Sequence, residues 1–360
     1  MKEGWTYKKF GEVCSYHKEQ GSFQNLPYVG MEHMESCTGK LLGTISSNSV
    51  LSSSFKFNKG EILYGRLRPY LKKVYVAEFD GCCSTEVFPI NSDSIEPGFI
   101  KYWFLSDKIT NMVNKTSAGC RMPRGNMNEV KNFLIGFPED RKEQKRIVKR
   151  LDAAFENIDK LKANAEKQLA EAQTLFQKSL AKAMEPKEGW EEFSFGELIK
   201  LQSGDYLPSK YMINGKYPVY GGNGIAGYHN QYNRDGGKIV IGRVGALCGN
   251  VHYITTPFWL TDNGFEVLLL KNIDIDFKYL SFYLNFLELG KYARQTAQPV
   301  ISNSSLKDVM LFLPSYTVQQ RIVERLDALS ENIRKYEEIQ RQIISECDAL
   351  KQALLRKVFE

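Results

Sequence analysis

The chain has little of what usually announces chemistry. Its four histidines, at 17, 33, 229 and 252, are scattered, with no nucleophile or metal-ligand spacing beside them. Its seven cysteines, at 14, 37, 82, 83, 120, 248 and 347, are odd in number and never fall two to four residues apart. That excludes a zinc knuckle and a disulfide frame, and reads as reduced thiols of a cytoplasmic protein. No apolar run approaches the length of a membrane span, and the opening Met-Lys-Glu-Gly-Trp5 lacks the apolar core of a secretion signal. There is no Asp/Asn-Pro-Pro-Tyr word for amino methylation and no Gly-x4-Gly-Lys-Ser/Thr phosphate loop. The glycines at 221–227 lack the strand, turn and helix of a dinucleotide site. Pro138-Glu-Asp140 followed by Glu143-Gln-Lys145 is too tightly spaced for a nuclease cluster and sits at a helix start, where acids favour the dipole. The chain reads as non-catalytic and metal-free.

The sequence is rich instead in duplication. Arg146-Ile-Val-Lys-Arg-Leu-Asp-Ala-Ala-Phe-Glu-Asn-Ile158 returns 175 residues later as Arg321-Ile-Val-Glu-Arg-Leu-Asp-Ala-Leu-Ser-Glu-Asn-Ile333, with ten of thirteen positions identical. Lys2-Glu-Gly-Trp5 and Phe10-Gly-Glu12 return as Lys187-Glu-Gly-Trp190 and Phe195-Gly-Glu197. A shared block of this length makes the chain two repeats, 1–185 and 186–360, each a small domain followed by a long helix. The boundaries are 1–138 and 186–314 for the globular parts, and 139–185 and 315–360 for the helices. Glu360 corresponds to Glu185, and the residues after Glu185, Pro186-Lys-Glu-Gly-Trp190, resemble the start of the chain, so the repeat is cyclic.

Both helices lack Gly and Pro and carry heptad seams. In the second, Ile322, Leu326, Leu329, Ile333, Tyr336, Ile343, Cys347, Leu350 and Leu354 form the row, with Gln340 inside it. In the first, the row is Ile147, Leu151, Ala154, Ile158, Leu161 and Ala165, drifting to Leu169, Ala172, Leu175, Phe176 and Leu180. Such seams need a partner. Pairing of the two helices with each other, antiparallel about a pseudo-twofold, places a globular domain at each end of a rod roughly 60 Å long. A homodimeric coiled coil satisfies the same seams.

The globular parts read as α+β. In the first, Gly60–Arg66, Lys73–Ala77, Glu86–Ile90 and Phe133–Phe137 are strands and Pro97–Lys115 is one helix. In the second, Lys238–Arg243, Asn250–Ile254, Glu266–Leu270 and Met310–Leu313 are strands and Phe277–Thr296 is one helix. Tyr217–Tyr228, with four glycines and three tyrosines, serves either as a hairpin connection or as a loop that approaches another molecule. Beyond these landmarks the two domains differ strongly, which suits a reader of two unlike targets.

The net charge of +6, from 48 basic and 42 acidic residues, permits a nucleic-acid partner. Candidate contacts are the cations beside turns: Arg66, Arg68, Lys72 and Lys73, then Arg121 and Arg124 in a second basic loop, and Lys210, Tyr220, Asn223, Arg243 and Arg294 in the second domain. Arg141–Arg150 holds six cations, but the second repeat keeps only Arg321 and Arg325 there.

These words resemble the specificity subunits of type I restriction–modification systems. The resemblance rests on Gln144-Lys-Arg-Ile-Val-Lys-Arg-Leu-Asp152 and Gln320-Arg-Ile-Val-Glu-Arg-Leu-Asp327, on Leu26–Glu35, Gly60–Tyr70 and Cys83-Ser-Thr-Glu86, and on Tyr217–Ile225, Ile241–Gly245 and Leu260-Thr-Asp-Asn263. It implies two target-recognition domains, each reading half of a split site on double-stranded DNA. The paired helices would set the spacer and dock two methyltransferase subunits. S-adenosylmethionine, ATP and Mg would belong to partner subunits, the methyltransferases and possible motor-nuclease subunits, and this chain would hold no cofactor. The contrasting reading from residues alone is a coiled-coil scaffold whose domains grip protein partners.

Overall fold

Each repeat opens on an edge strand that the end of its own globular part completes. Trp5–Lys9 pairs antiparallel with Leu134–Pro138, and Glu191–Ser194 pairs with Met310–Leu313. The duplicated Phe-Gly-Glu follows each opening strand for a packing reason. Phe10 and Phe195 are buried, and the backbone N–H of each donates to a carbonyl of the loop before the closing strand, that of Phe133 and of Val309. A Cβ on Gly11 or Gly196 would press on Lys131 or Lys307, so the glycine permits the approach. Glu12 and Glu197 accept the N–H of Lys9 and of Ser194, capping the short turn.

The computed structural model describes residues 2–17, 19–117, 121–294 and 298–360. The chain falls into two compact units, Met1–Glu166 with Arg341–Glu360, and Lys167–Gln340. In each, the main sheet has four strands in the same order. Ser15–Tyr16, Val87–Asn91, Ile62–Gly65 and Val74–Val76 form one, and Ile199–Ser203, Gly264–Leu269, Lys238–Gly242 and Val251–Ile254 form the other. The first unit adds a five-stranded sheet of very short strands, and the second a three-stranded sheet containing the hairpin Tyr217–Gly221/Gly224–His229. The glycine-rich stretch is therefore a hairpin, with a bulge between Val219 and Tyr220.

The helix expected over 97–115 is two helices, Pro97–Leu105 and Asp107–Lys115. Ser106 is extended between them, and its hydroxyl accepts the Ile109 N–H at 3.4 Å. Gln352 spans the break, donating to Leu105 O at 3.2 Å and accepting Asp107 N–H at 2.9 Å. The helix expected over 277–296 is Phe277–Phe286 followed by a 3-10 turn, Leu289–Tyr292, because Glu288 takes a left-handed φ of 49°. Thr296 lies outside the described residues.

The long helices are Arg141–Met184 and Tyr316–Phe359. They run antiparallel and cover each other's seam within the chain. In the first unit Lys351 pairs with Asp159 and Lys162 with Asp348; in the second, Tyr336 OH donates to Gln168 at 2.9 Å. Four members of the expected rows stand outside: Leu161, Leu175, Tyr336 and Leu350 are all exposed. The true row of the first helix passes through Leu151, Phe155, Ile158, Lys162, Ala165, Ala172 and Phe176. Lys162 and Lys351 occupy seam positions where a hydrophobic pattern does not look for cations. Lys351, only 7% exposed, lies 5.2 Å from the Phe155 ring.

Each long helix is bolted to its domain by one buried glutamine. Gln144 accepts Glu96 N–H at 2.7 Å and donates to Pro138 O at 2.8 Å and Ser94 O at 3.1 Å. Gln319 accepts Asp276 N–H at 2.8 Å and donates to Pro314 O at 2.9 Å and Asp274 O at 3.4 Å. The residue equivalent to Gln144 is thus Gln319, one place before the Gln320 that opens the second motif. About two helical turns further on, Asp152 accepts Lys101 and Tyr102, and Asp327 accepts Lys278.

Candidate nucleic-acid interface

In both domains the central strand ends in Gly-Arg, and the next corner is built by the same three backbone hydrogen bonds. Arg66 N–H donates to Glu86 O, Gly125 N–H to Arg66 O, and Arg68 N–H to Pro123 O, at 2.9, 2.9 and 2.7 Å. In the second domain Arg243 N–H donates to Asn263 O, Ile301 N–H to Arg243 O, and Gly245 N–H to Pro299 O, at 3.0, 3.0 and 3.1 Å. A Cβ at Gly242 would strike the backbone oxygen of Gly222, so glycine is required there, and a Cβ at Gly65 would displace the thioether end of Met31. The arginine lies over a phenylalanine of the neighbouring strand in both, 5.3 Å from Phe88 for Arg66 and 5.3 Å from Phe265 for Arg243. This frame explains why the strand-to-Gly-Arg unit of Gly60–Arg66 returns as Lys238–Arg243. It also places the unlike words Cys83–Glu86 and Leu260–Asn263 at equivalent positions, since Glu86 O and Asn263 O accept the two arginine N–H groups.

The side chains set on the two corners are unlike. In the first domain Arg66 and Arg124 both reach Glu86 through Nε, at 2.9 and 2.8 Å. Partial burial pushes the Glu86 carboxyl upward, but the hydrogen bonds and charges of Arg124 and Arg66 outweigh it and hold it below the usual carboxylate range. Arg68 sits in the left-handed region, φ 51°, at the start of the turn Pro69–Leu71, and Arg121 is exposed in the loop that carries Arg124. The two basic loops singled out in the sequence are therefore adjacent, joined by the bridge between Leu67 and Arg124. Gly119 and Cys120 of that second loop lie outside the described residues. The two neighbouring lysines are engaged inside their own domain. Lys72 is buried against Asp107 at 2.5 Å, and Lys73 donates to Met31 O at 2.6 Å.

In the second domain the hairpin tip leans on the corner and encloses a groove of about 430 Å³, lined among others by Tyr206, Asn223, Gly245, Asp262, Asn263 and Gln298. Asn223 is exposed at the tip. Arg243 is held by Asp262 O at 3.2 Å, and its Nε is buried without a partner. Lys210 is exposed 4.8 Å from the Tyr211 ring, on the 3-10 turn Ser209–Tyr211 beside the groove. Arg294 is exposed, with its backbone N–H on Val300 O and its guanidinium 3.5 Å from Ser304. Tyr220 is half-buried behind the tip, against Phe258 and His252, and burial pushes its phenol up. The residues the sequence did not single out are the supports: Glu86 between two arginines, and Asn263 and Gln298 in the groove. Glu86 and Asn263 end the words Cys83–Glu86 and Leu260–Asn263 that carried the family resemblance, and only the fold shows that they occupy equivalent places.

Among the described residues no group of His, Cys, Asp and Glu is arranged to hold a metal ion, and no helix is long and apolar enough to cross a membrane.

A duplicated domain whose matching corners carry different side chains, with each helix bolted back by a glutamine, defines a two-headed recognition protein. The type I restriction modification DNA specificity domain matches twice, over residues 2–171 and 187–344, and the chain belongs to that family. The specificity subunit of the type I restriction enzyme EcoDI from Escherichia coli is 33% identical over 184 residues, 50% of this chain and 41% of that protein. The EcoprrI specificity subunit, also from Escherichia coli, is 34% identical over 148 residues, 39% of this chain and 36% of that protein. The chain thus matches less than half the length of these curated relatives. In fold it is similar to a chain from a structure of type I R-M complex assembly and conformational transition, with a TM-score of 0.84 at 22% identity over 100% of this chain and 98% of that one. It is also similar to the HsdS subunit from Thermoanaerobacter tengcongensis, with a TM-score of 0.60 at 23% identity over 99% and 97%.

Proposed function

We propose that this chain is the sequence-specific DNA-recognition subunit of a cytoplasmic type I restriction–modification complex and that it carries no catalytic group of its own. Each globular domain reads one half of a split site on double-stranded DNA, and the paired helices set the spacer between the halves. The observation that carries this reading is the matched pair of Gly-Arg corners, identical in backbone and different in side chains. A scaffold for one protein partner has no use for two such variants, whereas a split asymmetric site needs them.

The helices supply the docking surface for partners. Leu161 and Tyr336 are equivalent in the repeat, as are Leu175 and Leu350, and all four are left outside the seam. Leu161 and Leu350 belong to the first unit, and Leu175 and Tyr336 to the second, so each unit offers one apolar pair. Two equivalent surfaces suit two methyltransferase subunits, which would bring S-adenosylmethionine; motor-nuclease subunits would bring ATP and Mg. Pairing of the helices within the chain leaves these outward rows for a partner.

The test is binding of the assembled complex to duplex DNA across a salt series. Neutralising Arg66, Arg68 and Arg243 together should weaken binding. It should also flatten the slope of log K against log salt by about one for each phosphate no longer neutralised. Unchanged affinity and slope would remove these arginines from the interface. Salt-insensitive binding by the unaltered complex would favour the protein-scaffold reading.

A further inference from the structure

Given that DNA reading, we infer that the two domains select opposite classes of base pair: Arg124 of the first reads a G·C pair, and Asn223, with Asn263, reads an A·T pair in the other half-site. The first corner is a guanidinium site. Arg124 and Arg66 are both held by Glu86 through Nε, and Arg124 remains about half exposed (46%). An arginine fixed through Nε keeps its two terminal amino groups as a planar fork. That fork matches the two acceptors, O6 and N7, on the major-groove edge of guanine. Arg66 is the more buried and lies against Phe88, so with Glu86 it positions Arg124 and does not compete for the base.

The equivalent corner of the second domain has exchanged that chemistry. Asn263 occupies the place of Glu86, defined by the hydrogen bond from the corner arginine's N–H. Asn223 and Gln298 complete a groove with three amide side chains, and no cationic side chain among the described residues lines it. Asn and Gln each present one donor and one acceptor side by side, the complement of adenine N6 and N7. Glycines at 221, 222, 224 and 245 line the same groove, so a base edge can come close to the backbone. Arg243 does not supply a guanine fork there, because it is turned onto Asp262 O and Phe265.

The experiment maps methylated adenines in cells carrying the complete complex, with the unaltered chain or with R124A, R124K or N223A. The unaltered chain should give one split motif with a G·C pair in one half. Both Arg124 variants should relax that pair, raising methylation at mismatched sites by about 5- to 150-fold relative to the motif, and leave the other half unchanged. N223A should relax an A·T pair in the other half by a similar factor. R124K keeps the charge and removes the fork, so relaxation by R124K assigns the effect to base geometry; thermal melting of each purified complex guards against a folding defect. Methylation lowered uniformly with the motif intact would make Arg124 a phosphate contact and overturn the inference, as would relaxation at an A·T pair. Absence of any split motif with the unaltered chain would instead overturn the DNA-recognition reading beneath it.

Discussion

The helix seam is held together differently in the two units, although its sequence is duplicated. In the first unit it contains a cation: Lys351 is buried, pairs with Asp159 and lies by the ring of Phe155, while Asp159 also receives Lys40 from the globular domain at 3.1 Å. One repeat away, the positions of Asp159 and Lys351 are taken by Arg334 and Phe176. Arg334 is exposed and bonds along its own helix to Glu331 and Glu338. The first seam thus tolerates charge because a carboxylate and an aromatic face compensate it, and the second avoids the problem with a phenylalanine. Ion pairs of this kind are weak evidence for stability, since removal of both members can be neutral, but they penalise any arrangement that separates the members. Asp159 and Lys351 therefore fix which residues meet in the first unit more than they strengthen it.

The largest contrast comes from removing one partner. Asp159→Ala leaves Lys351 buried beside no carboxylate and should destabilise the protein by about 2–3 kcal/mol, discounted from a fully buried pair because Asp159 is partly exposed. Arg334→Ala, at the equivalent place, should leave the melting temperature unchanged. Equal losses in denaturant titrations would erase the distinction. The same pair has a pH signature. Burial pushes the Asp159 carboxyl up, but Lys351 and Lys40 outweigh it, so its folded pKa lies below the unfolded value. Its contribution is present above the ordinary carboxylate range and is lost as pH falls through that range and below. The acid limb of the stability curve should therefore flatten in Asp159→Asn.

A smaller effect sharpens what the two units share. Gln144→Leu and Gln319→Leu each strand a backbone N–H and a carbonyl that the amide satisfies, and each should cost about 1–3 kcal/mol. Similar losses would show that the bolts are equivalent; a loss at only one would make the other redundant. Smallest for the isolated chain is Leu161→Ser with Leu175→Ser, because both side chains are already exposed. Stability should hold, while co-purification of methyltransferase should fall. Full retention of the partner would move docking elsewhere.

Much of this frame was legible because duplication magnifies weak signals. Phe10-Gly-Glu12 alone is unremarkable, but its return as Phe195-Gly-Glu197 marks a structural demand, met by a buried ring, a close glycine and a cap. The long helices and the strand-to-Gly-Arg units were visible for the same reason. The features that escaped depend on contacts distant in sequence. The break at Ser106 is stabilised by Gln352, and no local propensity contains that residue. Lys162 and Lys351 were hidden because a seam is sought among apolar residues, and Leu161 and Leu175 were drawn into it for the same reason. The five-stranded sheet escaped because strands such as Gln20–Gly21 and Ile45–Ser46 are too short to show alternation. Among the candidate contacts, charge and turn position located the corners, but they did not distinguish Arg124, turned outward, from Lys72, turned in.

Gln352 also bears on the order in which the protein takes shape. During synthesis the N-terminal domain leaves the ribosome first, yet the unit it belongs to is finished by Arg341–Glu360, the segment made after the whole of Lys167–Gln340. Until then Leu105 O and Asp107 N–H lack the amide that bridges them, and Asp159 lacks Lys351. The second unit is continuous in sequence and closes without waiting. The nascent chain can therefore complete its inner unit before its outer one, and the first unit lacks these contacts until the last helix returns to it.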